Sequence, residues 1–195
     1  MMTRRWFLTS LAAAGASTMV RAHWEDQGRQ SPASQGPADI LLLRHAEEPD
    51  HGPDLSARGN ERARAIPRLF PSRFPKPTAI LATRTSKESA RPMDTMAPLA
   101  KALGLTVDDR FSDEHYLELA EAVLHEKAFA GGHVVICWHH GTLPELAHAL
   151  GVDQPLTWPS SRYDRLWIIR YTNGHARLSD ESQRLLPGDD LRLIS

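Results

Sequence analysis

The sequence predicts an α/β fold built around a parallel sheet. Three observations carry that expectation. Short, continuous apolar runs suit strands buried on both faces. Stretches of helical period lie between them. Two of the runs end abruptly in charged and histidine residues. The chain has 195 residues, 41% hydrophobic and 24% charged, which fits one soluble globular domain at roughly 100–200 residues per domain. Such a balance excludes disorder and a collagen-like chain, and the single cysteine, Cys137, excludes a disulfide scaffold. With 23 basic and 24 acidic residues the formal charge is -1, so no global basic field recruits nucleic acid.

Residues 1–22 read as an export signal, to be set aside before any fold argument. A charged start is followed by an uncharged stretch from Trp6 to Val20 and a small-residue end at Ala22. That stretch is 15 residues, short of the ~20 that span a bilayer, so no stable membrane anchor is expected. Thr3-Arg4-Arg5-Trp6-Phe7-Leu8 resembles the twin-arginine signal of bacterial pre-proteins. The resemblance implies the twin-arginine export machinery as partner of the precursor and a periplasmic or secreted destination. Cleavage would leave 20 basic against 24 acidic residues, a charge of -4. Residues 23–38, polar and rich in Gln, Ser, Pro and Gly, read as a flexible linker, and residues 39–195 as the folded domain.

Within that domain, strands are expected at residues 40–43, 79–82, 133–138 and 166–169. Helical spacing marks residues 55–69, with Ser56 as a cap and Pro67 ending or kinking the helix. It marks residues 86–103 as well, where Pro92 and Pro98 imply a break. Residues 113–129 place Tyr116, Leu119, Ala120, Val123 and Leu124 on one face. A shorter helix follows at residues 143–150, closed by Gly151.

The chemistry gathers where apolar strands are interrupted. The first strand ends in Arg44-His45-Ala46-Glu47, and the third in His139-His140-Gly141-Thr142. In open α/β sheets ligands bind beyond the carboxyl ends of strands, so both ends point to one site. Adjacent strand residues face opposite ways, so His139 and His140 do not both line it.

These residues resemble the histidine phosphatase superfamily. Leu42-Leu43-Arg44-His45-Ala46-Glu47 is similar to its Arg-His motif, and Leu55-Ser56-Ala57-Arg58-Gly59 to the helix start that follows. Ser89-Ala90-Arg91-Pro92-Met93-Asp94-Thr95 is similar to its second arginine motif, and His140-Gly141 to its second histidine. The resemblance spans about residues 39–150. It implies a three-layer α/β/α, phosphoglycerate-mutase-like fold with a mainly parallel sheet, and a phosphatase acting through phosphohistidine, with a phosphorylated small molecule or phosphoprotein as substrate and no cofactor. It also implies His45 as nucleophile and Arg44, Arg91 and His140 as phosphate ligands. Asp113 is the general acid on a gap-free match of Phe111-Ser112-Asp113-Glu114-His115-Tyr116; one gap selects Glu114.

The physical chemistry agrees. Arginine offers permanently charged bidentate forks to phosphoryl oxygens, and a neutral imidazole is a competent nucleophile near neutral pH. Arg84 and Lys87 rival Arg91, and only the spacing to Thr95 selects Arg91. His139 reads as a structural or supporting residue, and Arg58 as part of a solvated helix face. Glu47 either orients the site or caps the next segment. Trp138, Trp158, Tyr163 and Trp167 read as core or pocket wall. A metal site is the minor reading, since His125-Glu126 lacks the second histidine of a zinc helix. Two alternatives stand beside the phosphatase: a phosphoglycerate-type mutase and a non-catalytic phosphate-binding module. The separation of 49 positions from Arg91 to His140 leaves little for a mutase's enclosing segments.

Overall fold

Six strands make one sheet in a computed structural model that describes residues 36–192. They are β1 (Asp39–Arg44), β2 (Ala79–Ala82), β3 (Val107–Asp108), β4 (His133–Trp138), β5 (Arg165–Thr172) and β6 (His175–Ser182). Their order is β3-β2-β4-β1-β5-β6. β1 is central, buried at every residue, and pairs in parallel with β4 from Asp39↔His133 to Arg44↔Trp138. Four helices flank the sheet: α1 (Ala57–Ala65), α2 (Arg91–Leu103), α3 (Tyr116–His125) and α4 (Leu143–Ala149).

Strand alternation divides the core into two layers. Ile40, Leu42, Val134, Ile136 and Trp138 pack with Leu119 and Val123 of α3 and Leu143 and Leu146 of α4. Leu41, Leu43, Val135 and Cys137 face the other way, onto Met96, Leu99 and Ala100 of α2. The expected three-layer α/β/α architecture with a mostly parallel sheet is what forms. Trp138, Trp158 and Trp167 are all buried in the core.

The strand expected at residues 166–169 exists as part of β5, but it runs antiparallel to β1. A run buried on both faces has the same apolar pattern in either direction, so composition carries no sign of it. Two strands went unpredicted. β3 spans only Val107–Asp108, too short for a periodic signal. β6 is a polar edge strand whose residues alternate in exposure. Its signal lies in the turn: Asn173 and Gly174 both have positive φ, 52° and 78°, as a two-residue hairpin loop of the primed type needs.

The helix expected over residues 55–69 divides at Pro67: α1 ends at Ala65 and a 3-10 turn, Ile66–Leu69, follows. Residues 86–90 are not helical, and the break expected in the next helix is absent. Pro92 sits in the first turn of α2, where no backbone donor is needed. Pro98 lies inside α2, where burial of Met96, Leu99 and Ala100 against the sheet outweighs one lost hydrogen bond. Residues 113–129 shorten to a 3-10 turn, Asp113–His115, and α3, which stops where Glu126 turns extended.

The export signal and residues 23–35 of the expected linker lie outside the described residues. Residues 36–38 are tied to the domain: Ala38 N–H donates to the Gly132 carbonyl at 2.8 Å, and Gly131 N–H to that of Gly36 at 3.0 Å. Among the described residues no helix is long and apolar enough to cross a membrane.

Candidate active site

The parallel register of β1 with β4 places Arg44 beside Trp138, and both strands end together. His45 continues the pairing, its N–H donating to the Trp138 carbonyl at 3.1 Å. The two chain segments richest in chemistry, residues 44–48 and 139–142, therefore emerge side by side.

His45 is buried, and its Nδ1 lies 2.8 Å from the Ala46 carbonyl. A carbonyl only accepts, so Nδ1 carries the proton and the lone pair is on Nε2. Burial lowers the pKa of His45 to about 3; the Ala46 carbonyl opposes that shift, and Arg44 and His139 reinforce it. The imidazole is neutral at neutral pH, with its lone pair on Nε2.

Arg44 is only 1% exposed. Its guanidinium donates to the Ser160 carbonyl, to Glu48 Oε1 at 3.0 Å and to the Tyr163 hydroxyl at 3.0 Å. It also lies over the Tyr163 ring, 3.8 Å from the centroid. Its Nε has no partner. Burial lowers the Arg44 pKa, and Tyr163 and Glu48 offset this only in part. Arg91, in the first turn of α2, reaches Glu48 Oε2 at 3.1 Å and the Gly52 carbonyl at 2.5 Å. Burial alone would raise the Glu48 carboxyl; the Tyr163 hydroxyl, then the neighbouring His45, Arg91 and Arg44, hold it below its ordinary range. The rival Arg84 is turned away, onto the backbone of Asp109 and Arg110.

Two motifs recognised by spacing now have a physical reason. Thr95 is fully buried, donates to the Arg91 carbonyl at 2.7 Å and accepts from Ala46 N–H at 2.9 Å. The four-residue interval thus ties the helix carrying Arg91 to the loop carrying His45. Ser56 caps α1 by accepting from Gly59 N–H at 3.0 Å. A Cβ on Gly59 would lie 2.2 Å from the Glu47 carbonyl oxygen, so only glycine lets α1 approach this closely. Both motifs position residues 45–48.

Glu47 faces away from His45. It accepts from Arg62 Nη2 at 2.8 Å and pairs with Arg58 at 3.2 Å, so it anchors the loop. Both histidines of the pair lie among the charges of the site, near Arg44 and Glu48, where alternation predicted only one; β4 ends at Trp138, so its alternation does not extend to them. The His139 ring packs edge-on against that of His45, with centroids 5.2 Å apart, whereas His140 is the less deeply placed of the two. Burial lowers the pKa of both; Asp113 opposes this most for His139, and Arg44 adds most to it for His140. Asp113 Oδ1 accepts from the Thr142 hydroxyl at 2.7 Å, bringing the Asp113–His115 turn to the histidine segment. Glu114 is on the far side of that turn, 75% exposed and 3.7 Å from His115.

Glu48 and Ser160 are site residues that sequence reasoning missed, and Tyr163, read there only as core or pocket wall, contacts Arg44. Glu48 could have been suspected as the carboxylate four residues after Arg44. Tyr163 and Ser160 precede β5, and only its antiparallel register (Leu42↔Trp167) brings them to the end of β1. Among the described residues no three His, Cys, Asp or Glu side chains converge as around a cation.

Comparison with solved structures places the architecture. The protein histidine phosphatase SixA, solved with tungstate, superposes with a TM-score of 0.52 at 12% identity, covering 74% of this chain and 97% of its own. The fold is phosphoglycerate-mutase-like. A mycobacterial glucosyl-3-phosphoglycerate phosphatase, solved with inorganic phosphate, has a TM-score of 0.51 at 18% identity over 73% of this chain and 95% of its own. Phosphoglycerate mutase from Plasmodium falciparum has a TM-score of 0.50 at 12% identity over 79% and 96%. These neighbours all belong to the histidine phosphatase and phosphoglycerate mutase-like superfamily. No protein-family model matches the sequence, and no curated protein matches it. In this phosphoglycerate-mutase-like sheet the candidate site lies at the carboxyl ends of β1 and β4, the end where open α/β sheets bind ligands.

Proposed function

We propose that the chain is a phosphatase that hydrolyses a phosphomonoester or phosphoprotein through a phosphohistidine on His45, without a metal. The observation that carries this reading is the buried, neutral His45, its proton held by the Ala46 carbonyl and its ring between Arg44 and His139. A nucleophile of that form beside Arg44, with Arg91 joined to Arg44 through Glu48, is what phosphoryl transfer demands.

In this mechanism His45 Nε2 attacks phosphorus while the bond to the leaving oxygen breaks. Arg44 and Arg91 balance charge on the equatorial oxygens, and His139, adjacent to His45, supports the same group. His140, beside Arg44 and Glu48, is a further ligand of that group. Asp113 gives its proton to the leaving oxygen, then accepts one from the water that attacks phosphorus. The P–N bond breaks, and orthophosphate and free His45 result. Glu114, exposed and turned away, takes no part. The SixA and mycobacterial neighbours, solved with tungstate and phosphate, support an oxyanion as the ligand. The twin-arginine resemblance supports export of the mature domain to a bacterial periplasm or beyond.

The test is a rapid quench with a 32P-labelled phosphomonoester in excess chelator. Wild-type protein should accumulate an acid-labile, base-stable phosphoprotein, and His45→Ala should form none while keeping its circular dichroism spectrum. Turnover by the variant at a comparable rate would refute the covalent mechanism.

A further inference from the structure

Glu48 is the unexpected member of the site. Its two carboxylate oxygens are divided between the guanidiniums: Oε1 takes Arg44 at 3.0 Å and Oε2 takes Arg91 at 3.1 Å. The Tyr163 hydroxyl donates to Oε1 at 3.1 Å. A carboxylate thus engages the very donors that the phosphatase reading assigns to the phosphoryl group. We infer that Glu48 is a resident anion, displaced on substrate binding, and that it restricts the site to dianionic phosphoryl groups; this rests on the phosphatase reading above.

The selectivity follows from counting charges and oxygens. Glu48 offers one negative charge and two oxygens, and it is attached to the chain. A dissolved monoanion of the same kind, such as a phosphodiester, must compete with a tethered equal and loses. A terminal phosphoryl group brings close to two charges and three free oxygens. It can satisfy Arg44, Arg91 and Tyr163 together, with charge left over. Glu48 is free to yield: its side chain is 34% exposed, and these polar contacts hold it. The residues around it are Arg44 on β1, His45, Arg91 on α2, His139 and His140 after β4, and Tyr163 before β5. Its depressed pKa keeps it charged at neutral pH, so the competition operates there.

Calorimetric titration at pH 7 tests this, with inorganic phosphate and dimethyl phosphate as probes of wild type, Glu48→Gln and Glu48→Ala. Both variants should bind inorganic phosphate at least tenfold more tightly than wild type. Dimethyl phosphate should show binding to the variants and none to wild type. A melting curve for each protein confirms that it is folded. If wild type binds phosphate and both variants bind it no more tightly, Glu48 organises the arginines instead, and this inference fails alone. If no form of the protein binds phosphate, the phosphatase reading itself fails.

Discussion

Two buried arginines stand on either side of the loop after β1, and they are held in opposite ways. Arg62 is saturated: it donates to both oxygens of Glu47, to both of Asp189 and to Gln183. Burial works against its charge, yet the hydrogen bonds to Glu47 and Asp189 overcome that and raise its pKa above the usual value. Arg44 has one shared carboxylate, a carbonyl, a hydroxyl and a ring face, and its Nε is unpartnered. Its pKa falls. Successive residues separate the clusters, with Glu47 turned to Arg62 and Glu48 to Arg44. An arginine whose charge is fully answered has nothing left to bind with. The under-answered one keeps its capacity for an incoming anion.

That contrast can be broken by mutation, and the largest effect belongs to the saturated side. Arg62→Ala leaves the buried Asp189 side chain without its cation and Glu47 with Arg58 alone, so urea unfolding should lose about 3–5 kcal/mol of stability. Arg44→Lys keeps a charge but loses the planar fork. It should lower kcat/KM for a phosphomonoester by about 10²–10³-fold with a far smaller change in unfolding free energy. The opposite pattern, in which Arg44→Lys unfolds the protein and Arg62→Ala abolishes catalysis without destabilising it, would reverse the assignment of roles.

How much of this was legible in the sequence follows the range over which each signal acts. The alternation of apolar runs and helices declared the layers, because burial of a strand or helix face is recorded in neighbouring residues. Arg44, His45 and Arg91 were legible for the same reason: each is fixed by local spacing, a strand end or the interval to Thr95. Tyr163 was not, since its place depends on the antiparallel register of β5, more than a hundred residues from Arg44. His139 and His140 were legible as a strand-end pair but not in their placement: β4 ends at Trp138, so alternation does not divide them, and the pairing of Arg44 with Trp138 puts His139 next to His45 while His140 stays near Arg44. Asp113 and Glu114 share the same ambiguity until the Thr142 hydrogen bond separates them. Glu47 and Glu48 look alike in the sequence, yet their environments share nothing.

The smallest expected effect sharpens the comparison on the side of the site itself, where burial is not fully compensated. His45 is neutral in the folded protein down to a pKa of about 3, whereas an unfolded chain protonates histidine near 6.5. Between those values the unfolded state binds the extra proton, so stability rises with pH across the window and is lost on acidification. From pH 7 to pH 5 this one group should cost the wild type about 2 kcal/mol. In His45→Ala that contribution is absent, while the remaining carboxylates and histidines titrate in both proteins. The difference in unfolding free energy between the two, measured by urea titration at pH 7 and at pH 5, should therefore shift by about 2 kcal/mol in favour of the variant at the lower pH. An unchanged difference would mean that water or a nearby carboxylate reaches His45 Nε2 and lets it take a proton. The buried His45 would then be no better insulated than an ordinary surface histidine.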